Sequence, residues 1–411
     1  MTPPAPPDTT VRQCAILAGG LGTRLGVLAA DTPKPVLPVG DRPFLAWLMQ
    51  EVSRFGVEEI LLLTGHLSER VEASVHAIAA ELPRPLRIEV AQEPTRAGTG
   101  GALFHARDRL DERFLMCNGD SLFDCNFSNL LAAAASDPPE VIGRMVLRRL
   151  ADASRYGVVE MDGDRVTAFR ERPPPGAAGV INAGIYLFDR RILSTITAVC
   201  SLERDVMPRL ARQGALRGTV ADGYFIDIGI PEDFSRAQDE LPNVLHRPAL
   251  FLDRDGVLNV DHGWVGTRER FEWMPGAREA IRLATARGWH VFVVTNQSGV
   301  ARGHYDEAAV QVLHACIADE ARAAGGTIDD FRYCPFHPEA PLAQYRRDSD
   351  WRKPKPGMIL DIMRAWRLDP ARCLLVGDNA TDVAAATAAG IAGHLFPGGD
   401  VAEFVAPLLV C

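Results

Sequence analysis

Six short apolar runs, each stopping at a small or polar residue, constrain this chain most: CAILAGG, EILLLTGH, FLMCNGD, ALFLDRDG, HVFVVTNQSG and CLLVGDN. Runs of this length suit buried strands. Stretches with helical spacing lie between several of them, such as Phe44-Trp47-Leu48-Glu51-Val52 and Ala277-Ala280-Ile281-Ala284. Strands alternating with helices predict α/β units around a largely parallel sheet. In such sheets ligands sit beyond the carboxyl ends of the strands, where these Gly, Asp, Asn and Thr residues fall.

The runs form two sets, one before about residue 235 and one after about 249. A chain of 411 residues exceeds one typical core, so two domains are expected. The boundaries read as a disordered Pro-rich leader at 1–10, a first domain at 11–240, a linker at 241–248 carrying two prolines, and a second domain at 249–411. The formal charge of -9, with no Lys/Arg-dense run, argues against a nucleic-acid partner but leaves room for a small anionic substrate. No apolar run approaches the roughly 18 residues of a membrane-spanning helix, and the leader lacks the apolar core of a signal peptide. Eight scattered cysteines without a Cys-x-x-Cys pair fit reduced thiols, and the chain is expected to be cytoplasmic. Oligomeric state stays open.

In the first set, LAGGLGTRLG (17–26) runs from a strand end into a glycine-rich turn. Its amides could converge on phosphate oxygens, although the glycines alone would equally suit a tight turn. Lys34 follows in the proline-stiffened TPKPVLPVGDRP. A second glycine-rich turn, EPTRAGTGGAL, comes next, and Asp120 and Asp227 close NGDS and FIDIGIPED. Two separated carboxylates with a cationic glycine loop can hold a metal-triphosphate.

Residues 11–240 resemble the sugar-1-phosphate nucleotidyltransferases. Gly-Gly-x-Gly-Thr-Arg-Leu at 19–25 and Pro-Lys-Pro at 33–35 carry the likeness, with RYGVV, INAGIYLF and DGYFIDIGIPEDF most similar to the heptose 1-phosphate guanylyltransferases. The resemblance implies a Rossmann-like domain with a mixed, mainly parallel sheet, with GTP and a sugar phosphate as substrates. It implies nucleotide contacts from Leu17, Ala18, Gly19, Gly20, Gly22, Thr23, Glu93, Gly98 and Thr99, and catalytic cations at Arg24 and Lys34. It places Mg2+ on Asp120 and Asp227, and the sugar on Gly157, Glu171, Asn182 and Gly184. One departure is Arg172, where relatives often have Lys; it keeps the charge but changes the geometry.

In the second set, FLDRDGVLN offers Asp253 and Asp255, two apart in an extended segment and so expected to face one site. One carboxylate can attack phosphorus while the other delivers a proton to the leaving oxygen. Thr295, Lys353 in RKPKPG, and Asp378 and Asp382 in VGDNATD follow in the order found in the haloacid dehalogenase-like phosphatases, which residues 249–400 resemble. The resemblance implies a Rossmannoid domain with a minimal cap, Mg2+ on Asp253, Asp255 and Asp378, and substrate contacts from Asn296, Arg302 and Arg352. Heptose bisphosphate 7-phosphatases are the most similar group, with histidinol-phosphate phosphatases as the competitor. Many of the former carry a zinc through Cys-x-His and Cys-x-Cys. Here only Cys334 matches; Phe336, Ser349 and Trp351 hold the other positions and His337 is shifted by one, so no zinc is expected. Phe336 and Trp351 are expected to pack together in its place.

Overall fold

The computed structural model describes residues 11–20, 22–29, 31–65 and 67–410. The leader expected at 1–10 lies outside them. The chain divides into two compact units, with the boundary between Val244 and Leu245.

The first unit is built on a nine-stranded sheet. Arg87–Gln92, Glu59–Thr64, Gln13–Leu17 and Arg113–Asn118 run parallel in that spatial order. Gly179–Asp189 then joins Arg113–Asn118 antiparallel and carries the sheet into Gly143–Leu150 and beyond. Period-two alternation explains why these runs are apolar throughout: Cys14, Ile16, Ile60, Leu62 and Leu115 face one helix-covered core, whereas Ala15, Leu61, Leu63 and Met116 face the other. The stretch starting at Phe44 forms the helix Phe44–Arg54.

The segment expected as a linker is helical for most of its length, because the helix Pro231–Leu245 runs through it with Pro242 inside. Its side chains hold it down: Leu241 and Leu245 are buried, and Gln238 accepts from the Gly40 amide at 3.1 Å while donating to the Pro38 carbonyl at 3.0 Å. Anchoring of this kind outweighs the proline signal.

The second unit has five parallel strands in the order Asp330–Cys334, His290–Asn296, Ala249–Leu252, Cys373–Gly377, Ala392–Leu395. Leu250, Leu252, Val291 and Val293 face one core, and Phe251, Phe292, Val294 and Leu375 the other. The stretch from Ala277 forms the helix Ala277–Ala286. No helix among the described residues is long and apolar enough to cross a membrane.

His314 is buried in this unit, stacked on Phe331 at 4.6 Å and edge-on to Tyr333, with its Nε2 unpartnered. Burial, with the Arg254 charge adding to it, holds its pKa well below the ordinary 6.5. The unfolded chain therefore binds a proton that the folded chain excludes, and stability is lost as pH falls below about 6.5. Relative to His314→Phe, wild-type unfolding free energy should drop by about 1.4 kcal/mol per pH unit in that window, as measured by denaturant titration. A parallel pH course for both proteins would refute this.

Candidate functional sites

The first unit opens a cavity of about 300 Å3 at the carboxyl ends of its parallel strands. Leu17, Ala18, Gly19 and Gly20 form one wall; Glu93, Gly98, Thr99, Lys34 and Asp120 also line it. Gly22 does not, and its glycine has a local reason. It has φ +65, and a Cβ there would lie 2.6 Å from the Ala29 Cβ and 3.3 Å from Lys34 Cγ, so the close approach of Ala29 first, and of the lysine stem second, calls for glycine. Lys34 is buried and its Nζ meets Asp120 Oδ2 at 3.0 Å.

Asp120 and Asp227 come from different parts of the chain but share a place. Asp227 ends Phe225–Asp227, which pairs antiparallel with Ser121–Phe123, and the Ile228 amide donates to the Asp120 carbonyl at 2.9 Å. Burial first, then the Asp120 charge, raises the Asp227 pKa against the Gly229 amide, Arg24 and Lys34. A carboxylate whose ionisation is disfavoured by burial and by a neighbouring carboxylate is the electrostatic preparation for a cation. Arg24 is exposed and reaches this corner: a Cβ on Gly229 would lie 2.8 Å from Asp227 Oδ1 and 3.1 Å from Arg24 Nη2.

The expected sugar residues divide. The strand Gly179–Asp189 breaks register between Asn182 and Tyr186, and Gly184 at φ +77 comes so close that a Cβ would lie 2.6 Å from Asn118 Nδ2 and 3.0 Å from Ser121 Oγ. Asn182 uses its side chain inside this bulge, accepting from the Gly184 amide at 3.0 Å and donating to the Tyr186 hydroxyl at 2.7 Å. Gly157 lies against the Arg170 carbonyl, and Glu171 and Arg172 are exposed just beyond the strand Arg165–Arg170.

Sequence reasoning missed Arg96, Asn118 and Glu203 on the cavity wall. Asn118 Oδ1 is buried with no partner, an unsatisfied acceptor on a residue that lines the cavity. Glu203, distant in sequence, accepts from Thr99 Oγ1 at 2.7 Å. Gly100 and Gly101 donate to the Cys200 carbonyl, so part of the second glycine-rich turn serves close packing rather than a ligand.

In the second unit Asp253 follows the strand Ala249–Leu252 and is held by its amide to the Val376 carbonyl at 3.0 Å. Lys353 is buried and reaches Asp253 Oδ1 at 2.8 Å, Asp382 Oδ1 at 2.7 Å and the Val294 carbonyl at 2.9 Å. Burial pushes the Asp253 carboxyl up to about 7, partly opposed by Lys353. Burial works against the Lys353 charge, but Asp253 and Asp382 outweigh it and raise its pKa.

Asp255 departs from the expectation that it ligates metal beside Asp253. The strand ends at Leu252, so the alternation that would place both side chains together stops before them. Its oxygens instead accept from Arg254 Nη2 at 3.0 Å, Asn259 Nδ2 at 3.0 Å and Gln297 Nε2 at 2.8 Å. Among the described residues, the acidic group able to surround a cation is Asp253, Asp378 and Asp382, with ligand atoms within 4.8 Å of one another. Lys353 meets both Asp253 and Asp382, but Asp382 has its second oxygen engaged as well, by the Asn379 amide, whereas the contacts of Asp253 fall on Oδ1 alone; this favours Asp253 and the exposed Asp378. Burial, then Asp382, raises the Asp378 pKa.

Thr295 is buried and accepts from Gln297 Nε2 at 2.9 Å. Asn296, expected on substrate, instead clasps the Lys353 backbone with both side-chain ends at 3.1 Å. Arg352 is pulled down by burial and by facing Arg302, with Cys334 opposing. Phe336 meets Tyr345 at 5.9 Å with Arg347 3.5 Å over its ring, rather than Trp351; both Phe336 and Trp351 lie against the core cluster that includes Cys334.

Together the sites define two enzymes on one chain, a nucleotidyltransferase and a phosphatase. The nucleotidyl transferase family profile matches residues 14–244, and a HAD-hydrolase-like profile matches residues 350–403. The chain is 31% identical over 240 residues to D-glycero-alpha-D-manno-heptose 1-phosphate guanylyltransferase of Aneurinibacillus thermoaerophilus, covering 57% of this chain and 100% of that protein. It is 52% identical over 164 residues to D-glycero-beta-D-manno-heptose-1,7-bisphosphate 7-phosphatase of Rhodopseudomonas palustris, covering 40% of this chain and 91% of that protein. HddC from Yersinia pseudotuberculosis superposes with a TM-score of 0.50 at 28% identity, over 56% of this chain and 100% of that one. The chain belongs to the nucleotidyl transferase family, fused to a haloacid dehalogenase-like phosphatase of the heptose-bisphosphate phosphatase kind.

Proposed function

We propose that the chain removes the 7-phosphate of D-glycero-D-manno-heptose 1,7-bisphosphate and joins the resulting 1-phosphate to GMP from GTP. The observation that carries the pairing is chemical: the product named for one relative, a heptose 1-phosphate, is the substrate class named for the other.

In the phosphatase, Asp253 attacks the phosphorus, and Asp255 protonates the departing sugar oxygen. Water then cleaves the aspartyl phosphate, with Asp255 taking its proton. Lys353 balances charge on Asp253, and the Thr295 hydroxyl supports the phosphoryl group. Arg302 and Arg352 would clamp the distal phosphate. In the transferase, the sugar phosphate oxygen attacks the α-phosphorus in line and pyrophosphate leaves. The amides of Gly19 and Gly20 would cradle the triphosphate, with Arg24 and Lys34 offsetting its charge, Glu93, Gly98 and Thr99 beside the nucleoside, and Gly157, Glu171 and Gly184 around the sugar. Both sites fit Mg2+, through Asp120 and Asp227 and through Asp253 and Asp378; the ion supplies electrostatic stabilisation of phosphoryl charge. The cytoplasm, where GTP is available, suits this work.

The relatives' names differ in anomer, alpha for the transferase and beta for the phosphatase. Consecutive steps on one chain require a shared anomer. Four nucleoside triphosphates should be tried against both heptose 1-phosphate anomers and mannose 1-phosphate, reading pyrophosphate, with both bisphosphate anomers in the phosphate assay. GTP with heptose 1-phosphate should exceed every other pair by at least about tenfold, a discrimination within reach of one or two hydrogen bonds. Turnover with UTP or CTP only would reject the guanylyl reading, and disjoint anomer preferences would reject consecutive action.

A further inference from the structure

Gln297 lies between two residues that the phosphatase reading uses. It is buried, and its single amide nitrogen donates to Asp255 Oδ2 at 2.8 Å and to Thr295 Oγ1 at 2.9 Å. Its carbonyl oxygen accepts from the Tyr305 hydroxyl at 2.7 Å. All these bonds exist together in one amide orientation only. The flipped amide would set an oxygen against the Asp255 carboxylate and an NH2 against the tyrosine.

Tyr305 is itself fixed. A side chain in place of Gly266 or Gly299 would strike its ring, so both segments press on it as glycines. Burial pushes its hydroxyl up to about 12, so it remains a donor across the working pH range.

The directions of the bonds have a chemical consequence. A threonine hydroxyl that accepts from Gln297 keeps its own hydrogen for another acceptor. Bonds aligned in one sense, from Tyr305 to Gln297 to Thr295 and onward, also strengthen one another. We propose that Tyr305 and Gln297 form a positioning pair that turns the Thr295 hydroxyl toward the phosphoryl group and fixes the Asp255 carboxylate for proton transfer. The proposal rests on the phosphatase reading above for the roles of Asp255 and Thr295. Gln297 and Tyr305 act through those two residues.

The test measures phosphate release by the full-length protein from heptose 1,7-bisphosphate and, separately, from p-nitrophenyl phosphate, with thermal unfolding followed alongside. Gln297→Ala should lower kcat by about a hundredfold and Tyr305→Phe by about tenfold, since positioned acid-base groups contribute in that range. KM, inhibition by inorganic phosphate and Tm should stay near wild type. The double variant should lie close to Gln297→Ala alone, because the hydroxyl donates its hydrogen to the amide oxygen, with Arg254 as its other polar neighbour. Multiplying losses, a change confined to KM, or loss tracking a fall in Tm would each overturn the pair. Should Gln297→Ala fail to fold, Gln297→Glu keeps the shape and presents an oxygen to Asp255; full activity there overturns the proposal. A wild type that hydrolyses p-nitrophenyl phosphate but not the heptose substrate would reject the substrate assignment and leave the positioning test intact.

Discussion

Asp253→Asn should abolish phosphate release while pyrophosphate release continues, and Asp120→Ala should do the opposite. Removing the attacking carboxylate takes away the covalent route, a loss on the order of 10⁴-fold or more in kcat. The asparagine is nearly isosteric, and Lys353 retains its contact with Asp382, so the fold should hold. Asp120 stands in the other unit, against Lys34 and close enough to Asp227 to raise its pKa. Its loss should remove one side of that cation corner and lower nucleotidyl transfer by at least about a thousandfold. Both activities are read in one reaction mixture. If either variant lost both, the two-site assignment would fail.

Lys353→Met should inactivate the phosphatase and also destabilise its unit. The ammonium is buried among Asp253, Asp382 and the Val294 carbonyl, and methionine would leave these acceptors facing an apolar side chain. Breaking a buried pair by deleting one partner costs about 3–5 kcal/mol, because the remaining charge is uncompensated. The cost should shrink as pH falls, since the Asp253 carboxyl, raised to about 7 by burial, takes up a proton more readily still without its partner. Denaturant unfolding of wild type and Lys353→Met between about pH 5 and 8 measures this. An unfolding midpoint unchanged at pH 8 would show that the lysine is not needed to hold the site together.

The outline of both halves was legible because burial writes itself into sequence. Strands covered on both faces must be apolar throughout, and six such runs form central strands of the two sheets. The loops at their carboxyl ends were legible too: Leu17 to Gly20, Lys34, Asp120, Asp253, Thr295 and Lys353 all lie where the strand ends converge. Local rules failed where a neighbour distant in sequence decided. The prolines of the expected linker lost to a helix anchored on the Gly40 turn. Phe336 found Tyr345 instead of Trp351, as ring partners depend on how the intervening loop closes.

By itself the sequence determined the two α/β units and the reactive groups each would offer, since these follow from patterns spanning a few residues. Tertiary structure alone decided how those groups are used. Asp255, two residues from Asp253, points into a fan of donors, while Asp378, 125 positions further on than Asp253 by numbering, joins it in the acidic group that could hold a cation. Asn296 turned from substrate to the Lys353 backbone, and Gln297 and Tyr305 entered the site unannounced. The physical reason is that hydrogen bonds and charges are satisfied in space. A polar side chain's partner is whatever the folded chain brings within about 3 Å, and spacing along the sequence does not specify it.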